Sequence, residues 1–204
     1  MKRALRVLTV AVALLGLVAV AQAQDCRELT KLPAGGSWAE WRTHDNAIRV
    51  AVLPPETRQG KPYVRMETKI TEGGQVMIMQ GLAPADRLEA TEEVIIKQGT
   101  QPAMRLPKEM IQVGRELAGK DPSRTTCTAG MKLVGQETVT VPAGTFAAAH
   151  FKDEQTGYDV WLSQQVPFGM LKLRLGPDEE ILLSAYGAGA TSSISETPVE
   201  MPRQ

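Results

Sequence analysis

The residue group that most resembles an acid–base site is His150 with Asp153 and Glu154. An imidazole beside carboxylates can move protons near neutral pH, but covalent catalysis also needs an activated nucleophile. The rest of the sequence contains no glycine-flanked serine elbow, no phosphate-binding glycine loop and no His/Cys group with zinc spacing. We therefore interpret the group as a strand end that enters a solvated turn. We expect a non-enzymatic protein with no catalytic residue, no metal ligand and no cofactor.

Methionines are the second candidate for a functional surface, because the chain has nine of them and only three phenylalanines. The methionine side chain is flexible and polarizable, so it suits surfaces that adapt to varied apolar partners. Three interpretations stay open: ordinary core packing, an apolar cavity for lipid tails, or a thioether site for copper(I). For the cavity, the candidate ligand-binding residues are Met66, Met77, Met79, Met110 and Trp161.

The first 23 residues have the pattern of a secretory signal peptide. A basic start at 1–6 precedes an apolar run at 7–20 and an A-x-A cleavage sequence at 21–23. The run is short for a membrane span and small residues follow it, so we expect cleavage and no transmembrane segment afterwards. These features predict export to the periplasm, or secretion if the host lacks an outer membrane.

The balance of charge gives no sign of a nucleic-acid partner. The chain has 23 basic and 23 acidic residues, and cleavage removes Lys2, Arg3 and Arg6, which leaves 20 basic residues and a formal charge of −3. Nucleic-acid binding relies on an excess of lysine and arginine that contacts phosphates. We therefore expect no nucleic-acid partner.

Two cysteines, Cys26 and Cys127, are present. In an exported chain two cysteines most simply pair with each other, so we predict the disulfide Cys26–Cys127. It would close a loop of about a hundred residues, to which the chain-entropy relation assigns roughly 4–5 kcal/mol of stabilisation. The chain has no C-x-x-C pair, which argues against redox exchange chemistry.

Period-two alternation of apolar and polar residues predicts the elements that must position these side chains. Residues 63–70 alternate cleanly, and residues 76–79 are apolar on both faces, which is typical of a covered central strand. Three further runs between residues 135 and 175 are joined by turns that contain proline or glycine. Residues 107–117 have helical periodicity and form the one convincing helix.

These patterns predict a mainly β (α+β) fold. We expect a curved antiparallel sheet or half-barrel of about nine or ten strands wrapped around one helix. The predicted organisation is a signal peptide at 1–23, an extended leader at 24–36, a single domain at 37–187 and a disordered tail at 188–204. The tail prediction rests on its content of Gly, Ser, Thr and Pro.

Three short motifs accompany this pattern: Val-Pro-Ala-Gly-Thr-Phe at 141–146, Val-Trp-Leu-Ser at 160–163 and Val-Pro-Phe-Gly-Met-Leu-Lys at 166–172. With the signal peptide and the single helix, they resemble uncharacterised exported bacterial domains grouped with the periplasmic lipoprotein carriers (LolA/LolB-like half-barrels). The resemblance covers about residues 38–186. It implies a curved sheet around a helix whose concave face can hold acyl chains, and it assigns no catalytic residue.

We therefore predict an exported, non-enzymatic protein that binds a lipid, an acylated protein or another apolar ligand on the concave face of its sheet. The alternative is a cell-envelope module that binds another protein through an exposed sheet edge or a tryptophan face. A hydrolase is the least favoured interpretation.

Overall fold

The computed structural model describes residues 25–118, 127 and 130–202, so the predicted signal peptide lies outside the described residues. Within these residues, two helices, α1 (Cys26–Leu29) and α2 (Lys108–Ala118), accompany thirteen strands. The strands are β1 (Trp38–Arg42), β2 (Asn46–Val52), β3 (Glu56–Arg58), β4 (Lys61–Glu72), β5 (Gln75–Pro84), β6 (Glu93–Gln98), β7 (Met104–Arg105), β8 (Met131–Val141), β9 (Gly144–Asp153), β10 (Asp159–Leu162), β11 (Met170–Arg174), β12 (Glu180–Gly187) and β13 (Val199–Glu200).

All thirteen strands belong to one open sheet, in the order β13-β7-β6-β5-β4-β2-β1-β12-β11-β10-β9-β8, with β3 paired to β4. Every pair is antiparallel except β13 with β7, which is parallel. The strand β1 lies between β2 and β12, so it joins the two halves of the chain. The prediction of a mainly β fold with an antiparallel sheet is confirmed.

The half of the sheet from β8 to β12 curls over itself. Val139 and Val141 of β8 share a core cluster with Ala39 and Trp41 of β1, although four strands lie between them in the sheet. Contacts between such distant strands require the face that carries these side chains to be concave. The inside of the curl is therefore filled by the sheet's own side chains, which close-pack as in other protein cores.

The convex side of the same half is covered by the N-terminus and the disulfide. Cys26 and Leu29 pack against Phe151 and Val160, and the predicted Cys26–Cys127 bond is formed. The prediction of an extended leader at residues 24–36 is wrong for residues 26–29, because these residues form α1. Asp25 caps that helix by accepting a hydrogen bond from the backbone N–H of Arg27 at 3.0 Å, as N-cap residues do.

The segment predicted as a disordered tail lies across the convex side of the other half. We call residues 188–202 the C-terminal strap. Ile194 of the strap packs with Ile78, Ile95 and Ala103, and the strap ends in β13. A polar composition predicts disorder only when a segment has nothing to pack against, and here the sheet supplies both an apolar cluster and buried hydrogen-bond partners.

Two details of the predicted fold differ from the structure. The sheet has more strands than nine or ten, because β3, β7 and β13 are only two or three residues long and too short to show alternation. The sheet does not wrap around a helix either. Among the α2 side chains that the structure describes, Ile111 alone is buried, while Met110 and Val113 are exposed. Nowhere in the described residues is a helix long and apolar enough to cross a membrane.

Candidate functional site

The candidate site is an apolar surface on the concave side of β2, β4, β5, β6 and β7. Directly paired residues of an antiparallel sheet point to the same side, so the strand register defines this surface row by row. We call it the methionine face. Its members are Ile48, Val50, Val52, Met66, Thr68, Ile70, Met77, Met79, Val94, Ile96 and Met104.

The methionine face lies on the same concave side of the sheet as the core of the curled half, but part of it is exposed to solvent. Val50 packs against the core cluster of β1 and β8, whereas Met77 and Met79 on β5 are each 41% exposed. Met66 is half-buried beside them on β4. The predicted grouping of Met66, Met77 and Met79 on one surface therefore matches their placement.

No charged side chain belongs to the methionine face; Thr68 is polar, and the row of Ile70 and Met77 ends at the polar Gln98. Five strands spaced by about 4.8 Å make it about 19 Å wide. Met77 and Met79 are its exposed members and Val52 is buried, while the other members are half-buried. Exposed apolar patches on soluble proteins mark sites of interaction.

The other two predicted ligand residues lie elsewhere. Met110 is on α2, outside the rows that define the methionine face, and is exposed. Trp161 of β10 is 6% exposed, and its ring stacks on that of His150 with centroids 4.3 Å apart. The indole therefore belongs to the packed curl and offers little surface to a ligand or a partner.

A polar network surrounds Trp161 where the concave core meets solvent. The ring nitrogens of His150 both face carboxylates: Nε2 lies 2.8 Å from Oδ1 of Asp159, and Nδ1 lies 3.2 Å from Oε1 of Glu137. Nη2 of Arg174 donates to Oδ2 of Asp159 at 2.9 Å. The Trp161 N–H donates to Glu137 as well. The four polar residues thus hold one another across strands β8 to β11.

This network is arranged for structure more than for catalysis. Both nitrogens of His150 are engaged by acids, so the ring has no free position from which to activate a hydroxyl nucleophile. Burial raises the pKa of Asp159, but the hydrogen bonds from His150 and Arg174 outweigh it and hold the pKa below its ordinary value. Asp159 is therefore an ionised anchor at neutral pH.

Sequence analysis grouped His150 with Asp153 and Glu154, and the structure separates them. Oδ1 of Asp153 accepts the backbone N–H of Gln155 at 2.8 Å, and Glu154 pairs with Lys132. Glu154 lies in an exposed turn as predicted, whereas Asp153 ends β9 and is buried, so the prediction of a solvated group is wrong for Asp153. The pairing of His150 with Asp159 was missed, although a hairpin centred on the turn at residues 154–157 places the two on neighbouring strands.

A second polar region is the cleft of about 770 Å³ beside α2 and β6. Two of its acids are paired: Glu93 lies 3.3 Å from Arg105 and 2.8 Å from Arg65 behind the cleft, and Glu200 lies 2.7 Å from Arg105. Burial raises the pKa of Glu93, but Arg65 and the neighbouring arginines hold it below its ordinary value. We assign this network to the attachment of β7 and β13.

Comparison with known proteins adds little about function. No protein-family profile matches the chain, and no curated protein is significantly similar to it. Among solved structures, a "putative lipoprotein" from Parabacteroides distasonis is 11% identical with a TM-score of 0.39, and a "putative exported protein with YmcC-like fold" from Bacteroides fragilis is 9% identical with a TM-score of 0.38. Each match covers 76% of this chain and 97% of the other.

Both TM-scores lie below 0.5, so these likenesses do not bear on the function of the chain. The comparisons do not show the predicted resemblance to LolA/LolB-like carriers.

Proposed function

We propose that this chain is an exported, non-enzymatic protein of the periplasm that binds a lipid, an acylated protein or another apolar ligand on the methionine face. The observation that carries the proposal is the exposure of Met77 and Met79 on an uncharged surface five strands wide. Burying such a surface under an alkyl chain stabilises the complex by roughly 25 cal/mol per Å² removed from water.

The position of the surface within the sheet supports the same function. Beyond β1 the concave side is filled by side chains of the curled strands, whereas the methionine face is not part of any core cluster in the described residues apart from the contact of Val50. Flexible thioether side chains let one such surface fit chains of different shape. Export is supported by the predicted signal peptide and by the disulfide, which persists in oxidising compartments.

A charge placed in the middle of the methionine face tests the proposal. Met79→Glu should weaken the binding of a fluorescent fatty acid at least tenfold, because the carboxylate loses water when an alkyl chain covers it. Val134→Glu on β8 is the matched control, since Val134 is an exposed apolar strand residue away from this face. Purified wild-type protein that neither carries lipid in native mass spectrometry nor takes up the fatty acid would overturn the proposal.

The alternative, an envelope interaction module, is favoured by one observation on β8. This strand is the last in the sheet, and in the described part of the chain its outer edge has no neighbouring strand. Val134 on it is 58% exposed. An added strand from a partner could pair there. In that case Val134→Glu should abolish capture of a stoichiometric partner while Met79→Glu leaves it intact, the reverse of the pattern for ligand binding.

A further inference from the structure

Hydrogen-bond acceptors gather at one end of the methionine face, where β4 turns into β5. Asn46 stands opposite Glu72, and Glu72 stands opposite Gln75 across the hairpin. Gln98 of β6 stands opposite Met77, so it belongs to the same side of the sheet. Glu72, Gln75 and Gln98 line a pocket of about 390 Å³ that opens beside Ile70 and Met77.

This end of the surface carries one negative charge. Glu72 is the one charged residue lining the pocket, and it forms no ion pair among the described residues. Oδ1 of Asn46 is buried and has no hydrogen-bond partner within the described part of the chain. Glu72 is exposed, so its carboxylate is open to a ligand that donates hydrogen bonds, whereas Asn46 stands in the same row but is not among the residues that line the pocket.

We propose that the methionine face takes a single-chain amphiphile with a primary ammonium headgroup, the head beside Glu72 and the tail over Met77 and Met79. This inference rests on the proposed function and names its ligand class. An ammonium has three N–H donors and no acceptor, which matches a carboxylate and the amide oxygens of the two glutamines. A carboxylate or phosphate headgroup would instead meet Glu72 as a like charge.

The spacing of the rows agrees with such a ligand. Three steps of two residues separate the row of Glu72 and Gln75 from the row of Met66 and Gly81. At about 3.4 Å per residue this distance is about 20 Å, enough for an extended decyl chain. The path from the headgroup crosses Met77 and Met79, and no charged residue of the methionine face lies along it.

Calorimetric titration with decylamine, decanol and decanoate tests the headgroup preference. Wild-type protein should bind decylamine at least tenfold more tightly than the other two, because the three probes share one tail and differ in the donors and charge of the head. Glu72→Gln, which keeps the shape and removes the charge, should reduce that preference at least tenfold. Glu89→Gln, at an exposed acid that does not line this pocket, should leave it unchanged.

The outcomes separate the two proposals. If decanol and decanoate bind as tightly as decylamine, or if Glu72→Gln keeps the preference, the headgroup assignment is overturned while apolar binding stands. If butylamine binds as tightly as decylamine, attraction to an acidic surface alone accounts for the signal, and the assignment also fails. If no decyl probe binds, the proposed function itself fails and the assignment with it.

Discussion

Glu67 and Ser193 lie 126 residues apart in the sequence, and two hydrogen bonds join them. The Ser193 hydroxyl donates to Oε1 of Glu67 at 2.6 Å, and the Ser193 backbone N–H donates to Oε2 at 2.9 Å. Gln80 donates to the same Oε2 at 2.7 Å. Glu67 is 4% exposed, so the C-terminal strap supplies partners that a buried carboxylate requires.

Removal of the serine hydroxyl should therefore weaken the strap. Ser193→Ala leaves Oε1 of Glu67 without that donor, and we expect the free energy of unfolding to fall by about 1–3 kcal/mol. Ser195→Ala, an exposed position in the same strap, should change it by no more than about 0.5 kcal/mol. Urea denaturation of the two variants measures both values, and equal stability of the pair would contradict a structural role for the strap.

Gly169 is required where the turn before β11 meets α1. Its φ is +75°, and a Cβ built there would lie 1.8 Å from the carbonyl oxygen of Leu29. We expect Gly169→Ala to lower the free energy of unfolding by more than about 3 kcal/mol, since both the backbone conformation and the clash oppose it. Thermal unfolding followed by circular dichroism measures the loss.

The control for that substitution is Gly176→Ala. The Cβ at Gly176 meets nothing within 4 Å, and this residue has no positive φ. The change should be neutral or stabilise the protein by a few tenths of a kcal/mol through the unfolded chain. If Gly169→Ala were as well tolerated as Gly176→Ala, this result would contradict the close contact between α1 and this turn.

Alternation in the sequence located most strands, and most of them pair with a sequential neighbour. The longest-range exception is the pairing of β1 with β12, which joins residues 140 to 149 positions apart, and no local pattern encodes it. The strap was mistaken for a disordered tail for the same reason: its order depends on Glu67 and Ile78 across the sheet, whereas its own composition resembles a linker.

For the candidate site, strand periodicity predicts which residues share one face of a strand, but it does not predict what that face contacts. Met77 and Met79 are two residues apart in one strand, so their shared face follows from the sequence. Trp161 also lies on a strand, but periodicity cannot tell which neighbours its face meets, and the fold places it against His150 inside the curl. The disulfide could be predicted without knowledge of the structure, because each of the two cysteines in an exported chain has the other as its single partner.

Loss of the disulfide should destabilise the protein strongly. The bond links residues 101 positions apart, and the chain-entropy relation gives an upper value of about 4.7 kcal/mol for such a loop. We expect the double change Cys26→Ala and Cys127→Ala to lower the free energy of unfolding by about 2–4 kcal/mol, because the unfolded chain gains freedom. Denaturation curves recorded with and without reductant should then differ for the wild-type protein, and the two curves should coincide for the variant.

Acid should weaken the network around Trp161. The pKa of Asp159 is lower in the folded protein than its ordinary value, because the hydrogen bonds from His150 and Arg174 outweigh burial. A carboxylate whose pKa falls on folding adds stability that is complete above its unfolded pKa, about 3.9, and disappears as the pH falls through the folded value. The contribution of Asp159 is therefore present at neutral pH and vanishes in strong acid.

The variant Asp159→Asn isolates this contribution from the other acids of the chain. At pH 7 it should reduce the free energy of unfolding by about 1–3 kcal/mol, since His150 and Arg174 lose a charged acceptor. The difference between wild type and variant should shrink steadily as the pH falls below 4, because the wild-type carboxyl then becomes neutral too. Asp178→Asn, at an exposed position, should show no such trend. A difference that is constant from pH 7 to pH 2 would mean that Asp159 acts through its shape and not through its charge.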